Sequence, residues 1–119
     1  MEIQVVQHAQ RSFVKGTPGR PLLTVEKDVV ELIGICGEHE ADRLLLFAEN
    51  LPKKFFDLSS GEAGMILQKF VNYHLRVAAV VPPEYITGKF SEFVLETNRG
   101  RQFRVFQDLG QAEHWLLSD

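Results

Sequence analysis

The period of hydrophobicity switches repeatedly along this chain, and that alternation restricts the fold more than any other feature. Short apolar-rich runs, I-Q-V-V, R-S-F-V-K-G, R-L-L-L-F-A, L-R-V-A-A-V-V and R-Q-F-R-V-F, are separated by longer stretches whose apolar residues recur every three or four positions. The short runs suit strands, and a continuous apolar run suits a strand covered on both faces. The longer stretches read as helices with one buried face. Expected helices span Glu26 to His39, Gly61 to Tyr73, Tyr85 to Asn98 and Gln111 to Leu117. The order is β-β-α-β-α-β-α-β-α, and strands joined through crossover helices run largely parallel. The expected fold class is α/β, a single mixed sheet of about five strands with packed helices.

The same spacing names a core. Val29, Leu32, Ile33 and Cys36 form the buried stripe of the first helix, Ala63, Ile66, Leu67 and Phe70 that of the second, and Ile86, Phe90, Phe93 and Val94 that of the third. Turn chemistry falls between these elements. A tight connection is expected near His8 to Gln10, a loop at G-T-P-G-R-P, a strand end at Pro82-Pro83, and a left-handed glycine cap at Gly100. With no repeat, low-complexity segment or long linker, residues 1–119 read as one domain.

Charge and cysteine content exclude several classes. A net charge of −3 argues against a nucleic-acid partner or an anionic membrane surface. The single cysteine can form no intrachain disulfide and no Cys-rich zinc site, which suits a cytoplasmic location. M-E-I-Q-V-V-Q-H lacks the basic and apolar regions of a signal peptide, and no apolar run approaches membrane-spanning length. Neither a metal nor a cofactor is expected: Glu38-His39-Glu40 lacks further ligands at suitable spacing, and G-T-P-G-R-P lacks the Gly-Lys-Ser/Thr ending of a phosphate loop.

The chemistry-bearing stretch is F-F-D-L-S-S-G-E-A-G-M-I-L-Q-K-F. Ser59-x-x-Glu62 is a capping-box pattern, which would leave Ser60 at the first helical position with a free hydroxyl. Unpaired N–H groups and the helix dipole would favour a phosphate on Ser60 or an anion beside Ser59, Ser60 and Gly61, although Glu62 opposes this. A catalytic serine would need a base. His74 lies past the far end of the helix, roughly 20 Å away at the helical rise. No base is evident near Asp57, and the G-x-S-x-G elbow is missing, so no catalytic residue is assigned.

On the helix that follows, Gly64, Gln68 and Asn72 fall at i, i+4 and i+8 with Met65 and Lys69 beside them. Adaptable methionine and amide side chains suit a protein partner. Arg99, Arg101 and Arg104 lie close to Glu92, Glu96 and Asp108 and read as surface ion pairs.

The runs F-F-D-L-S-S-G-E-A-G-M-I-L-Q-K-F-V-N-Y, L-R-V-A-A-V-V and F-V-L-E-T-N-R-G-R-Q resemble a family of small bacterial proteins known as domain of unknown function 4180, from about Asp28 to Leu117. That resemblance brings no activity with it. More distantly, the element order and the S-S-G turn are similar to the STAS domains of anti-sigma-factor antagonists, whose turn reads D-S-S-G-L-G. The resemblance implies a STAS-like fold and makes Ser60 the counterpart of a serine phosphorylated by a partner kinase. Here Leu58 separates Asp57 from the serines, and Glu62-Ala63 replaces one residue before Gly64.

These readings favour a non-catalytic binding or regulatory module acting on a protein partner through the turn from Asp57 to Gly64 and the face carrying Met65, Gln68, Lys69 and Asn72. The alternative is an anion-binding or small-molecule-binding protein, or a small enzyme, using the same helix N-terminus. A homodimer joined by the second helix is a third.

Overall fold

The computed structural model describes residues 1–9 and 11–119. One five-stranded sheet runs in sequential order: β1 (Ile3–His8), β2 (Arg11–Gly16), β3 (Arg43–Phe47), β4 (Arg76–Val80) and β5 (Phe103–Phe106). β1 and β2 pair antiparallel, from Ile3 opposite Gly16 to His8 opposite Arg11. The later pairs are parallel. The α/β class and the mixed sheet are as the periodicity predicts. Of the connection expected at His8 to Gln10, Gln10 lies outside the described residues.

Four α-helices pack on the sheet: α1 (Glu26–Glu38), α2 (Glu62–Asn72), α3 (Gly88–Thr97) and α4 (Leu109–Leu116). A right-handed crossover that advances one strand at a time returns each helix to the same side. Accordingly α1, α2 and α3 share the larger core, where Leu32, Ile66, Phe70 and Phe90 meet Val14, Leu44, Leu46, Val77 and Val105. α4 covers the other face, where Ala112, Trp115 and Leu116 pack on Phe13, Leu45 and Ala78. Burial on both faces explains why β3 is apolar after its first residue: Leu44, Leu45, Leu46 and Phe47 are all buried.

Cys36 is buried in α1, as its stripe position predicts. Desolvation pushes its thiol up to about 11. Cys36 is therefore expected to resist alkylation in the native protein and to react only at the rate of unfolding, as timed mass spectrometry with iodoacetamide would read. Modification within seconds under native conditions would contradict that burial.

Both ends of the third helix differ from expectation. Pro83–Tyr85 is a separate 3-10 turn, and Ile86 (φ −94°, ψ 75°) and Thr87 (φ −136°, ψ 161°) leave helical space before α3 begins at Gly88. Ile86 therefore packs on the core from a connection and not from a helix face. The third helix also ends without a left-handed Gly100, since Asn98 is right-handed and positive φ among glycines falls only at Gly19, Gly61 and Gly88. Side chains close this end instead. Thr97 Oγ1 donates to the Phe103 carbonyl (2.8 Å), Asn98 Nδ2 donates to the Val105 carbonyl (3.0 Å), and Val105 N–H donates to Asn98 Oδ1 (2.8 Å). The Asn98 amide thus covers part of the unpaired edge of β5.

Asn50 ties β2, β3 and the loop between β2 and α1 together. Its side chain is fully buried, accepts from Phe47 N–H (2.7 Å) and donates to the carbonyls of Thr17 (2.9 Å) and Arg20 (2.8 Å).

Candidate functional site

After β3 the chain descends through three short 3-10 turns, Ala48–Asn50, Lys53–Phe56 and Leu58–Ser60, before α2 starts. Phe55 anchors this descent. Its ring is fully buried and meets Phe56, Phe90 and Phe103 edge-on, with centroids 5.6–6.2 Å apart. The anchor leaves the next residues on the surface, and Asp57, Ser59, Ser60 and Gly61 are exposed.

The serines do not form the expected capping box. Asp57 caps its own 3-10 turn, its carboxylate accepting from Ser59 N–H (3.2 Å) and from the Ser59 hydroxyl (2.6 Å). An Asp two residues ahead of a serine closes a tighter ring than a glutamate three residues behind, and Asp57 captures Ser59. Gly61 then turns left-handed (φ 80°) and supplies the N-cap position of α2, which no bulkier residue adopts without strain.

Ser60 is likewise outside the first helical position, and its hydroxyl is engaged. The oxygen lies 2.7 Å from the carbonyls of both Lys54 and Asp57, which share its single proton, and it accepts from Glu62 N–H at 3.2 Å. Capping of the first α2 donor therefore falls to Ser60 and not to Ser59. Neither serine is bonded to a histidine; the partners are carbonyls, a carboxylate and an amide.

The helix face divides in two. Gly64, Gln68 and Asn72 are exposed, and Gln68 Nε2 donates to Asn72 Oδ1 at 2.9 Å. Met65 and Lys69, expected beside them, turn toward the body of the protein. Met65 packs against the main core, and Lys69 pairs with Glu26 of α1 at 3.1 Å with its side chain 28% exposed. The physical reason is the neighbour: α1 packs beside α2, so the buried arc is wider than the four-residue stripe expected.

Among the described residues, no group of three or more His, Cys, Asp or Glu is placed to hold a metal ion. No helix is long and apolar enough to cross a membrane. Of the three arginines read as surface ion pairs, among the described residues only Arg99 behaves so, 3.6 Å from Glu96. Arg104 Nε donates to the Gly100 carbonyl at 2.7 Å, and its guanidinium lies 5.0 Å from the centre of the Trp115 ring. The signal for this was the alternation within β5, which sets Arg104 opposite in direction to Phe103 and Val105.

Residues 8–116 match the family model described as domain of unknown function (DUF4180). The chain belongs to this family. The matched span runs from the end of β1 to the last residue of α4, so the DUF4180 unit includes the 57–61 turn, α2 and both faces of the sheet. No curated protein and no solved structure matches the chain significantly.

Proposed function

We propose that this DUF4180 chain is a STAS-like binding module, which engages a protein partner or a second copy of itself through the 57–61 turn and the exposed face of Gly64, Gln68 and Asn72. Ser60 is the point of control. The observation that carries this reading is the exposed 57–61 turn lying beside the exposed, uncharged face of Gly64, Gln68 and Asn72. Gly64 stands inside α2 with no positive φ, and nothing lies within 4 Å of where a Cβ would be. Neither backbone conformation nor internal packing calls for glycine there, yet glycine costs the helix about 1 kcal/mol relative to alanine. Gly34 and Gly37 of α1 are open in the same way, so Gly64 supports a closely approached surface only together with the amides of Gln68 and Asn72 beside it.

Ser60 fits a control point because its single hydroxyl ties the turn to Lys54 and Asp57. A phosphate would remove that donor and add charge beside Asp57 and Glu62, so the turn would open by repulsion. Catalysis is disfavoured by the partners of the serines, which include no base. The sequential strand order also lacks the reversal at which open α/β sheets usually form a ligand crevice. A cytoplasmic setting suits the free buried thiol.

The test pairs stability with association. Gly64→Ala is expected to raise the unfolding free energy by about 0.5–1 kcal/mol while weakening the partner captured from the native cell, or self-association seen by sedimentation. Gly34→Ala serves as control, because Gly34 of α1 is equally open and lies outside the proposed surface; it should stabilise without affecting association. Ser60→Asp should retain the fold by circular dichroism and change partner affinity. Undiminished association in Gly64→Ala, Gln68→Arg and Ser60→Asp together would remove this surface from consideration.

A further inference from the structure

Four adjacent strands each place an arginine on the side of the sheet that α4 covers. Side chains alternate along a strand, so Arg11 shares a face with Phe13, Arg43 with Leu45, Arg76 with Ala78 and Arg104 with Phe106. Those four neighbours belong to the α4 core. Arg43 and Arg76 stand directly opposite each other in the β3–β4 register. Arg101, just before β5, joins Arg43 and Arg76 in lining one open cleft, together with Asp42, His74 and Gln102. Trp115 lies against the row, with the guanidinium carbons of Arg76 and Arg104 5.1 and 5.0 Å from its ring centre.

This rim is rich in donors and short of acceptors. Arg43 Nε and Trp115 Nε1 are buried without a hydrogen-bond partner, in side chains that are among the most enclosed polar groups of the protein: the Arg43 side chain is 9% exposed and Trp115 is 7% exposed. Asp42 Oδ1 approaches Arg43 Nε at 3.5 Å without completing a hydrogen bond. Most of the other acceptors come from residues 115–119. Arg76 donates to the carbonyls of Trp115 (3.3 Å), Ser118 (2.8 Å) and Asp119 (3.1 Å), Arg101 donates to the Asp119 carbonyl, and Arg11 reaches the Asp119 carboxylate at 3.5 Å. Burial first, and then the charges of Arg101, Arg11 and Arg104, hold the Arg76 guanidinium below its usual pKa, with Asp42 acting the other way. Like charges gathered on one rim, with the orphaned Arg43 Nε among them, favour an anion in the cleft.

We propose that the cleft between Arg43, Arg76 and Arg101 is a binding site for a phosphate group, either free phosphate or a small phosphate monoester. Guanidiniums present forked N–H pairs that match phosphate oxygens, and a tetrahedral dianion can accept from several of them at once. A single carboxylate fits less well, since Asp42 already lies 3.5 Å from Arg43 Nε and that donor still lacks a partner. A long polyanion is disfavoured because, beyond this rim, it would meet a chain of net charge −3. The main-chain oxygen of Asp119, held by Arg76 and Arg101, then occupies part of the site. This inference is independent of the surface proposed on α2.

Trp115 is the only tryptophan, so its fluorescence reports directly on the rim. Inorganic phosphate titrated at constant ionic strength, with chloride as the balancing salt, is expected to give a saturable change. Arg101→Gln, which leaves both ring-stacked guanidiniums in place, should weaken phosphate about tenfold, the usual effect of losing one charge-assisted bond. Asp42→Asn should tighten it by removing the carboxylate that lines the cleft beside Arg43. Glycerol phosphate in a parallel arm separates the sources: tighter binding than inorganic phosphate assigns the site to a monoester, and equal or weaker binding assigns it to the free ion. A response no different from that of chloride, or unchanged affinity in both Arg101→Gln and Asp42→Asn with the fold intact by circular dichroism, would overturn the proposal.

Discussion

Asn50→Ala is expected to lower the unfolding free energy by about 2–4 kcal/mol, measured by urea denaturation. The residue is fully buried and satisfies three backbone groups: Phe47 N–H and the carbonyls of Thr17 and Arg20. The carbonyls stand in an exposed loop and can recover water, but the Phe47 N–H at the end of β3 is enclosed. Leaving it unpaired carries the desolvation cost of a buried donor, and the lost side chain adds a small cavity.

A second variant ties the effect to this contact. A Cβ on Gly16 would sit 2.3 Å from Asn50 Oδ1, far inside contact distance, so Gly16→Ala must displace the amide and its hydrogen bonds. In the Asn50→Ala background the three atoms nearest to that Cβ are gone. The double-mutant cycle should therefore show strong coupling, with Gly16→Ala much less costly once Asn50 is gone. Additive effects, or a loss below about 0.5 kcal/mol for Asn50→Ala, would mean that Asn50 is not the tie between β2, β3 and the 17–20 loop.

Phe55→Ala is expected to cost about 3–5 kcal/mol, the range for removing a fully buried aromatic ring. Phe55 sits where the segment after β3 crosses toward α3 and β5, and its edge-on contacts with Phe56, Phe90 and Phe103 add to simple burial. Phe56→Ala serves as the comparison. Phe56 is only partly buried, so its loss should be clearly smaller despite ring contacts with Tyr85 and Phe90. Because Phe55 holds the descent that presents Asp57, Ser59 and Ser60, Phe55→Leu should also speed proteolysis near residues 57–61 at temperatures where the rest of the fold survives. Cleavage distributed along the whole chain would show that the turn is held by something other than this ring.

The strands, the buried stripes of the first three helices apart from Ile86, and the inward position of Cys36 were readable from the chain, because they depend on local period. A side chain two residues along a strand, or three and four along a helix, returns to the same side whatever the remainder of the chain does. The limits of that reasoning appear at particular residues. Met65 and Lys69 are on the outer side of α2 by period alone, and only the packing of α1 against that helix draws them in. Ser59 fits a capping box by spacing, but competition with Asp57 depends on a 3-10 turn that the spacing does not specify.

The sequence by itself determined an α/β chain with a hairpin followed by parallel strands, since apolar period and turn residues act over a few neighbours. Only the tertiary structure decided which polar groups meet. Asn50 reaches Thr17 and Arg20 across about thirty residues of chain, and Arg76 reaches Ser118 across about forty. Arg11, Arg43, Arg76 and Arg104 are widely spaced in the sequence and carry no common motif, and they become one rim only when four strands align in register with α4 over them. Hydrogen bonds and charge pairs act over a few ångströms of space, so their partners are set by the path of the folded chain and not by distance along it.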